Sequence, residues 1–108
     1  MHKMNVEISK SNKEGKKFKA VIDNKKTIHF GSTPYSDFTQ HKDEDRKKKY
    51  LDRHKKREDW TKTGIDTAGF YAKHLLWSEP TLEKSVDKLN KKYKDIKFTY
   101  SPNKKSNY

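Results

Sequence analysis

A chain of 108 residues suffices for one domain, and it spends 39% of its positions on charged side chains and 29% on hydrophobic ones. Twenty-seven Lys and Arg against fifteen Asp and Glu leave a formal charge of +12, a field that draws phosphate polymers and anionic surfaces and repels basic partners. The lack of Cys excludes a disulfide framework, an iron–sulfur cluster and a thiolate zinc site; no apolar run approaches the roughly 20 residues needed to span a bilayer.

The N-terminus shows no apolar stretch of the secretory kind. The expectation is therefore one intracellular domain over residues 1–108, with no membrane segment. Five Phe, two Trp and six Tyr must supply much of the buried surface, so the core should be thin and aromatic. That aromatic content also argues against disorder.

From Met4 to Gly31 the pattern has period two. Met4, Val6 and Ile8, then Phe18, Ala20 and Ile22, then Ile28 and Phe30 alternate with polar residues, which predicts three short strands. Ser11-Asn12-Lys13-Glu14-Gly15 and Asp23-Asn24-Lys25 separate them, and Asn and Gly tolerate the positive φ of tight hairpins. A meander follows, apolar on one face and Lys-rich on the other. The segment Gly31-Ser32-Thr33-Pro34-Tyr35-Ser36 holds the residues that end a strand.

A helix is expected from about Asp43 to Asp59, with Asp43, Glu44 and Asp45 at its start and Lys55 to Arg57 near its end, which suits the macrodipole. Its apolar stripe is narrow, with Tyr50, Leu51 and His54. Thr67 is a plausible N-cap for a short apolar helix from Ala68 to Trp77, which must stop before Pro80. A third helix near Thr81 to Lys92 aligns Leu82, Val86, Leu89 and Tyr93 on one face. Ile96, Phe98 and Tyr100 alternate again, predicting a last strand that returns to the meander before a polar tail over 101–108 that should fray.

The positive charge lies at both ends of the chain. Residues 1–36 carry +5, 37–60 carry +2, 61–80 are neutral and 81–108 carry +5. The densest basic cluster is Lys47, Lys48, Lys49, Arg53, Lys55, Lys56 and Arg57, which wraps more than one helix face. With no base-reading motif beside it, its contacts would go chiefly to phosphates and depend little on sequence. His41, Asp43, Asp45 and His54 are types that ligate hydrolytic metals. Their spacing does not match a metal motif, and a role as helix-terminus charges and satisfied polar contacts is preferred. Trp60 and Trp77 read as core anchors ahead of base-stacking platforms, and Tyr35, Phe38 and Tyr50 carry the same ambiguity. No nucleophilic triad order, phosphate loop or dinucleotide fingerprint is present.

The run Ile28-His29-Phe30-Gly31, Tyr35-Ser36-Asp37-Phe38-Thr39, His41-Lys42-Asp43, Arg46, Tyr50, Arg53-His54, Arg57-Glu58-Asp59-Trp60, Thr67-Ala68-Gly69-Phe70, Leu75-Leu76-Trp77 and Pro80-Thr81 resembles a family of small basic proteins of unknown function encoded by large double-stranded DNA viruses of eukaryotes. The resemblance covers residues 27–93. It implies a viral origin, an infected host cell as the location and a packaged or virion-associated role; it supplies no catalytic residue.

The expected fold is α+β, a small antiparallel β-meander packed by about three helices, with Phe18, Ile22, Ile28, Phe30, Phe70, Leu75, Trp77, Leu82, Val86 and Leu89 as its core. The expected function is nucleic-acid binding or genome packaging, with DNA ahead of RNA and with no catalytic residue, cofactor or metal. The alternative is a virion or capsid-associated structural protein that docks a protein partner through the aromatic Gly64–Trp77 stretch. A metal-dependent nuclease ranks below both.

Overall fold

The computed structural model describes residues 4–33 and 36–101. Three antiparallel strands, β1 (Met4–Lys10), β2 (Lys16–Ile22) and β3 (Lys26–Ser32), form the meander. The β2–β3 turn places Asp23 and Asn24 at φ 51° and 59°, and the Lys25 N–H closes it on the Ile22 carbonyl at 2.9 Å. Such a left-handed pair matches the twist of the strands it joins. The Asp23 carboxylate also accepts from the Asn5 N–H at 2.8 Å, fixing the turn to β1. β3 runs past the expected break and continues through Gly31, at φ 79°, to Ser32. The turn formers Pro34 and Tyr35 lie outside the described residues.

The helical part follows. α1 (Phe38–His41) is a single turn that the periodicity did not reveal, although Asp37 and Gln40 make a full capping box around it. α2 (Glu44–His54) is N-capped by Asp43, whose carboxylate accepts from the Asp45 and Arg46 N–H groups at 3.0 and 3.3 Å. It ends five residues before the expected Asp59. The Arg57 and Glu58 N–H groups both turn back on the His54 carbonyl, the Glu58 carboxylate bonds the His54 ring at 3.0 Å, and the Trp60 indole donates to Glu58 at 2.9 Å, which bends the chain away from the helix axis.

A 3₁₀ turn at Lys62–Gly64 precedes α3 (Ala68–Tyr71). At Gly64 a Cβ would lie 2.0 Å from the Asp59 carbonyl oxygen, so the turn admits only glycine. Thr67 caps α3 as expected, but the helix widens into a π segment over Ala72–Leu76, and Trp77 lies beyond its end. A wider turn aligns residues five apart. That brings Tyr71 onto Phe30, with ring centroids 5.7 Å apart, and Leu76 against Gly31, the next residue of the same strand. α4 (Leu82–Lys92) is capped by Thr81 and buries Leu82, Ser85, Val86 and Leu89. β4 (Ile96–Ser101) then pairs with β1 in parallel, making a mixed sheet of order β3-β2-β1-β4. Ser101, assigned in sequence to the polar tail, is therefore a strand residue, and 102–108 lie outside the described residues.

The fold is α+β. The sheet face of Val6, Ile8, Ala20, Ile22, Phe30, Ile96 and Phe98 packs with Phe70, Tyr71, Leu75 and Leu76 and with the apolar side of α4. Three expected core residues are only half-buried: Phe18 near the strand end, Ile28 on the edge strand and Trp77 at the helical rim. On the opposite face Asn5, Glu7, Val21, Lys97 and Thr99 lie in register, but the face is less Lys-rich than expected: Lys19 is 7% exposed and Lys17 is turned towards α1.

Candidate nucleic-acid interface

The basic cluster does not form one surface. With 3.6 residues per turn, Arg46, Lys49, Tyr50 and Arg53 share one side of α2, and Glu44, Asp45, Lys48 and Asp52 share the other. The outward side thus carries three carboxylates and one ammonium. The first side turns into a cleft of about 670 Å³, whose other walls come from Lys17, Gly31 and Ser32 of the sheet, Ser36 and Asp37 ahead of α1, and Leu76 and Trp77 at the end of the π segment.

Of the seven predicted cations, Lys49 and Arg53 line this cleft. Lys47 is turned under the helix: its ammonium donates to the Ser78 carbonyl at 2.7 Å and lies 4.7 Å from the Phe38 ring centroid, a position in which it helps to hold α2 down. Lys48 points to the acidic side. Lys55, Lys56 and Arg57 are exposed in the turn after α2. Sequence reasoning missed two cations of the cleft. Arg46 was readable, because it repeats with Lys49 and Arg53 at i, i+3 and i+7; Lys17 is a strand residue brought in by tertiary folding alone.

Lys17 has a partner. Its ammonium donates to the Asp37 carboxylate at 2.6 Å and to the Gln40 side chain at 2.7 Å, and both carboxylate and ammonium are largely buried. The pair neutralises the floor of the cleft and ties β2 to α1. Among the described residues Arg46, Lys49 and Arg53 form no ion pair. Three exposed cations in a row, facing one cavity and without counter-charge, can hold anionic groups at little desolvation cost.

An aromatic column anchors the row. Trp77 and Tyr50 stack at 4.2 Å with planes 3° apart, His54 stacks on the far face of Tyr50 at 4.1 Å, and His41 lies 5.3 Å from Trp77. Burial pushes the Tyr50 phenol well above its ordinary pKa. Because both faces of Tyr50 are covered, the column is a wall that positions the helix and offers no base a platform there. His54 Nδ1 faces Glu58 and His41 Nδ1 accepts from the Asp43 N–H at 2.9 Å, but His41 Nε2 is buried with no partner among the described residues, so its polar contacts are only half satisfied. Among the described residues no three His, Asp or Glu side chains gather as a ligand set.

The aromatic Gly64–Trp77 stretch, considered in sequence as a docking patch, is mostly interior: Phe70, Tyr71, Leu75 and Leu76 are buried. His74 lies among them with Nε2 2.8 Å from the Trp60 carbonyl, and burial lowers its pKa to about 4 against the opposing effect of that hydrogen bond.

No curated protein and no solved structure matches the chain. Residues 6–54 match a family of unknown function (DUF5754), a stretch that includes β1 from Val6 onward, β2, β3, α1 and α2 and so contains the cationic row together with the sheet residues of the cleft.

Proposed function

We propose that this chain binds nucleic acid through its phosphates at the cleft beside α2, as an accessory that holds or packages the polymer and does not transform it. The observation that carries the proposal is the row Arg46, Lys49 and Arg53, which faces one cavity and has no ion-pair partner among the described residues. The charge of +12 supports it at long range, since each phosphate neutralised releases counterions and makes affinity depend steeply on salt. The covered faces of Tyr50 support readout of the backbone over readout of bases. The resemblance to proteins of large DNA viruses adds genome packaging as the setting and DNA as the first polymer to try.

The test compares two triple reversals of equal charge. Arg46→Glu/Lys49→Glu/Arg53→Glu alters the cleft row, and Lys48→Glu/Lys55→Glu/Lys56→Glu alters cations outside it. On an immobilised polyanion across a salt gradient the cleft variant should elute at clearly lower salt than the second variant. Equal elution of the two would mean that only net charge matters and would remove the cleft from the proposal.

A further inference from the structure

We infer that the cleft takes one strand of nucleic acid, entered as a single strand, and does not take a duplex. This rests on the phosphate-binding proposal and narrows it. The first ground is what a duplex would meet. A helix that enters a groove about 12 Å wide must lead with an exposed, compatible face. The exposed outward face of α2 presents Glu44, Asp45 and Asp52 around Lys48, so a duplex approaching it meets carboxylates first. The cationic side turns away from that face into the cleft, which Gly31 and Ser32 line from the sheet, so the row is reached from within the cleft.

The second ground is the dimension of the row. Arg46 and Arg53 are seven residues apart, about 10 Å along the helix axis. The row is shorter than the roughly 12 Å width of a duplex major groove, so it lies along one strand and does not reach across to a complementary one. The cavity of about 670 Å³ is also of the size that encloses a small ligand, not a double helix.

The third ground is chemical. Cations and the aromatic column lie along the α2 side, while Ser32, Ser36 and the neutralised Lys17–Asp37 pair line the rest of the cleft. A backbone seated against α2 would thus have its phosphates on the arginines and lysine. Its bases would point out of the cleft, because Tyr50 is already stacked on both faces.

The experiment is fluorescence anisotropy at several salt concentrations with three labelled probes: a short mixed-sequence single strand, a hairpin duplex with the same number of phosphates, and an abasic strand of the same length. The single strand should bind at least about tenfold more tightly than the hairpin, with the abasic strand within a few-fold of it. Arg46→Glu/Lys49→Glu/Arg53→Glu should abolish that preference. Because a triple reversal can perturb folding, Ser32→Trp serves as a second variant: it adds no charge, sits on an exposed edge-strand position and fills the cleft. It should weaken single-strand binding and leave hairpin binding unchanged. A hairpin that binds as tightly as the strand, or a Ser32→Trp variant that keeps the single-strand preference, overturns the inference while leaving phosphate binding in place. Failure of all three probes to bind at low salt overturns phosphate binding itself.

Discussion

α2 and α4 are both eleven residues long, capped by an Asp or Thr and rich in Lys, yet they do opposite work. α4 buries four side chains and is stitched to β4 by Asn90, whose amide donates to the Phe98 carbonyl at 2.9 Å and accepts from the Phe98 N–H at 2.8 Å. Two of its lysines are paired, Lys88 with Glu79 and Lys91 with Asp87. α2 buries no residue fully and rests on the body of the protein through the Tyr50–Trp77 stack and the Lys47 contact to Ser78. A helix that packs through so few contacts can hold a row of like charges without breaking the core. The difference assigns folding to one helix and binding to the other.

The comparison is broken most directly by truncation. Leu89 is 2% exposed, so Leu89→Ala should cost about 2–5 kcal/mol through lost burial and the cavity left behind. Leu51, half-buried on α2, should cost clearly less on the same change, since much of its surface is already in water. Chemical denaturation of both variants gives the ranking, and a Leu51→Ala loss equal to that of Leu89→Ala would refute the division of labour.

The next effect is a pH dependence seated on the core side. His74 is 6% exposed and its pKa falls from the ordinary 6.5 to about 4 because burial penalises the imidazolium. The unfolded chain therefore binds more protons than the folded one between those values, so stability is fully present above about pH 6.5 and declines as the pH falls towards 4. The difference corresponds to roughly 3 kcal/mol at about 1.4 kcal/mol per pK unit. His74→Gln should flatten this part of the stability profile, since glutamine can donate to the Trp60 carbonyl and does not titrate there. An unchanged acid slope in that variant would place the proton uptake elsewhere.

On α2 the same kind of measurement should show little. Replacing Arg46, Lys49 and Arg53 with Gln removes like-charge neighbours at i, i+3 and i+4, each worth a few tenths of a kcal/mol, so the thermal midpoint should stay or rise slightly. Polyanion affinity should drop, by about tenfold for each 1.4 kcal/mol of phosphate contact removed. A large fall in the midpoint would show that α2 packs through its cations.

How far sequence reached follows the same division. α4 was legible because Leu82, Val86 and Leu89 repeat at helical spacing and meet one sheet face. The meander was legible because its alternation has a single buried side. The parallel docking of β4 on β1 was not, since pairing partners are chosen by tertiary packing and period two is the same for either direction. Neither was the π segment, which answers to Phe30 and Gly31 on a distant strand. The capping box from Asp37 to Gln40 was written in the chain and passed over, because one turn of helix leaves no periodicity. The basic cluster was visible as composition, but its division into an inward row, a tethering Lys47 and an outward acidic face depends on which side of α2 meets Trp77. Lys17 could enter the cleft only through the fold.

An effect opposite in sign to the truncations lies inside α4 itself. Ser85 is 0% exposed, in the middle of the buried face, and its hydroxyl has no hydrogen-bond partner among the described residues. A buried hydroxyl without a partner loses its water and gains nothing in return, a deficit of about 1–3 kcal/mol, while the space its oxygen fills is small. Ser85→Ala removes that group, leaves little cavity and places the residue with the best helix propensity in a helix interior. The expected result is a gain of about 1 kcal/mol, seen as a rise of roughly 4–8 °C in Tm for a domain of this size, with polyanion affinity unchanged. A loss of stability would show that the hydroxyl is satisfied in solution, by a water or by the Thr81 carbonyl one turn back. A change in affinity would show that α4 and the cleft are coupled, and the separation of folding helix from binding helix would have to be given up.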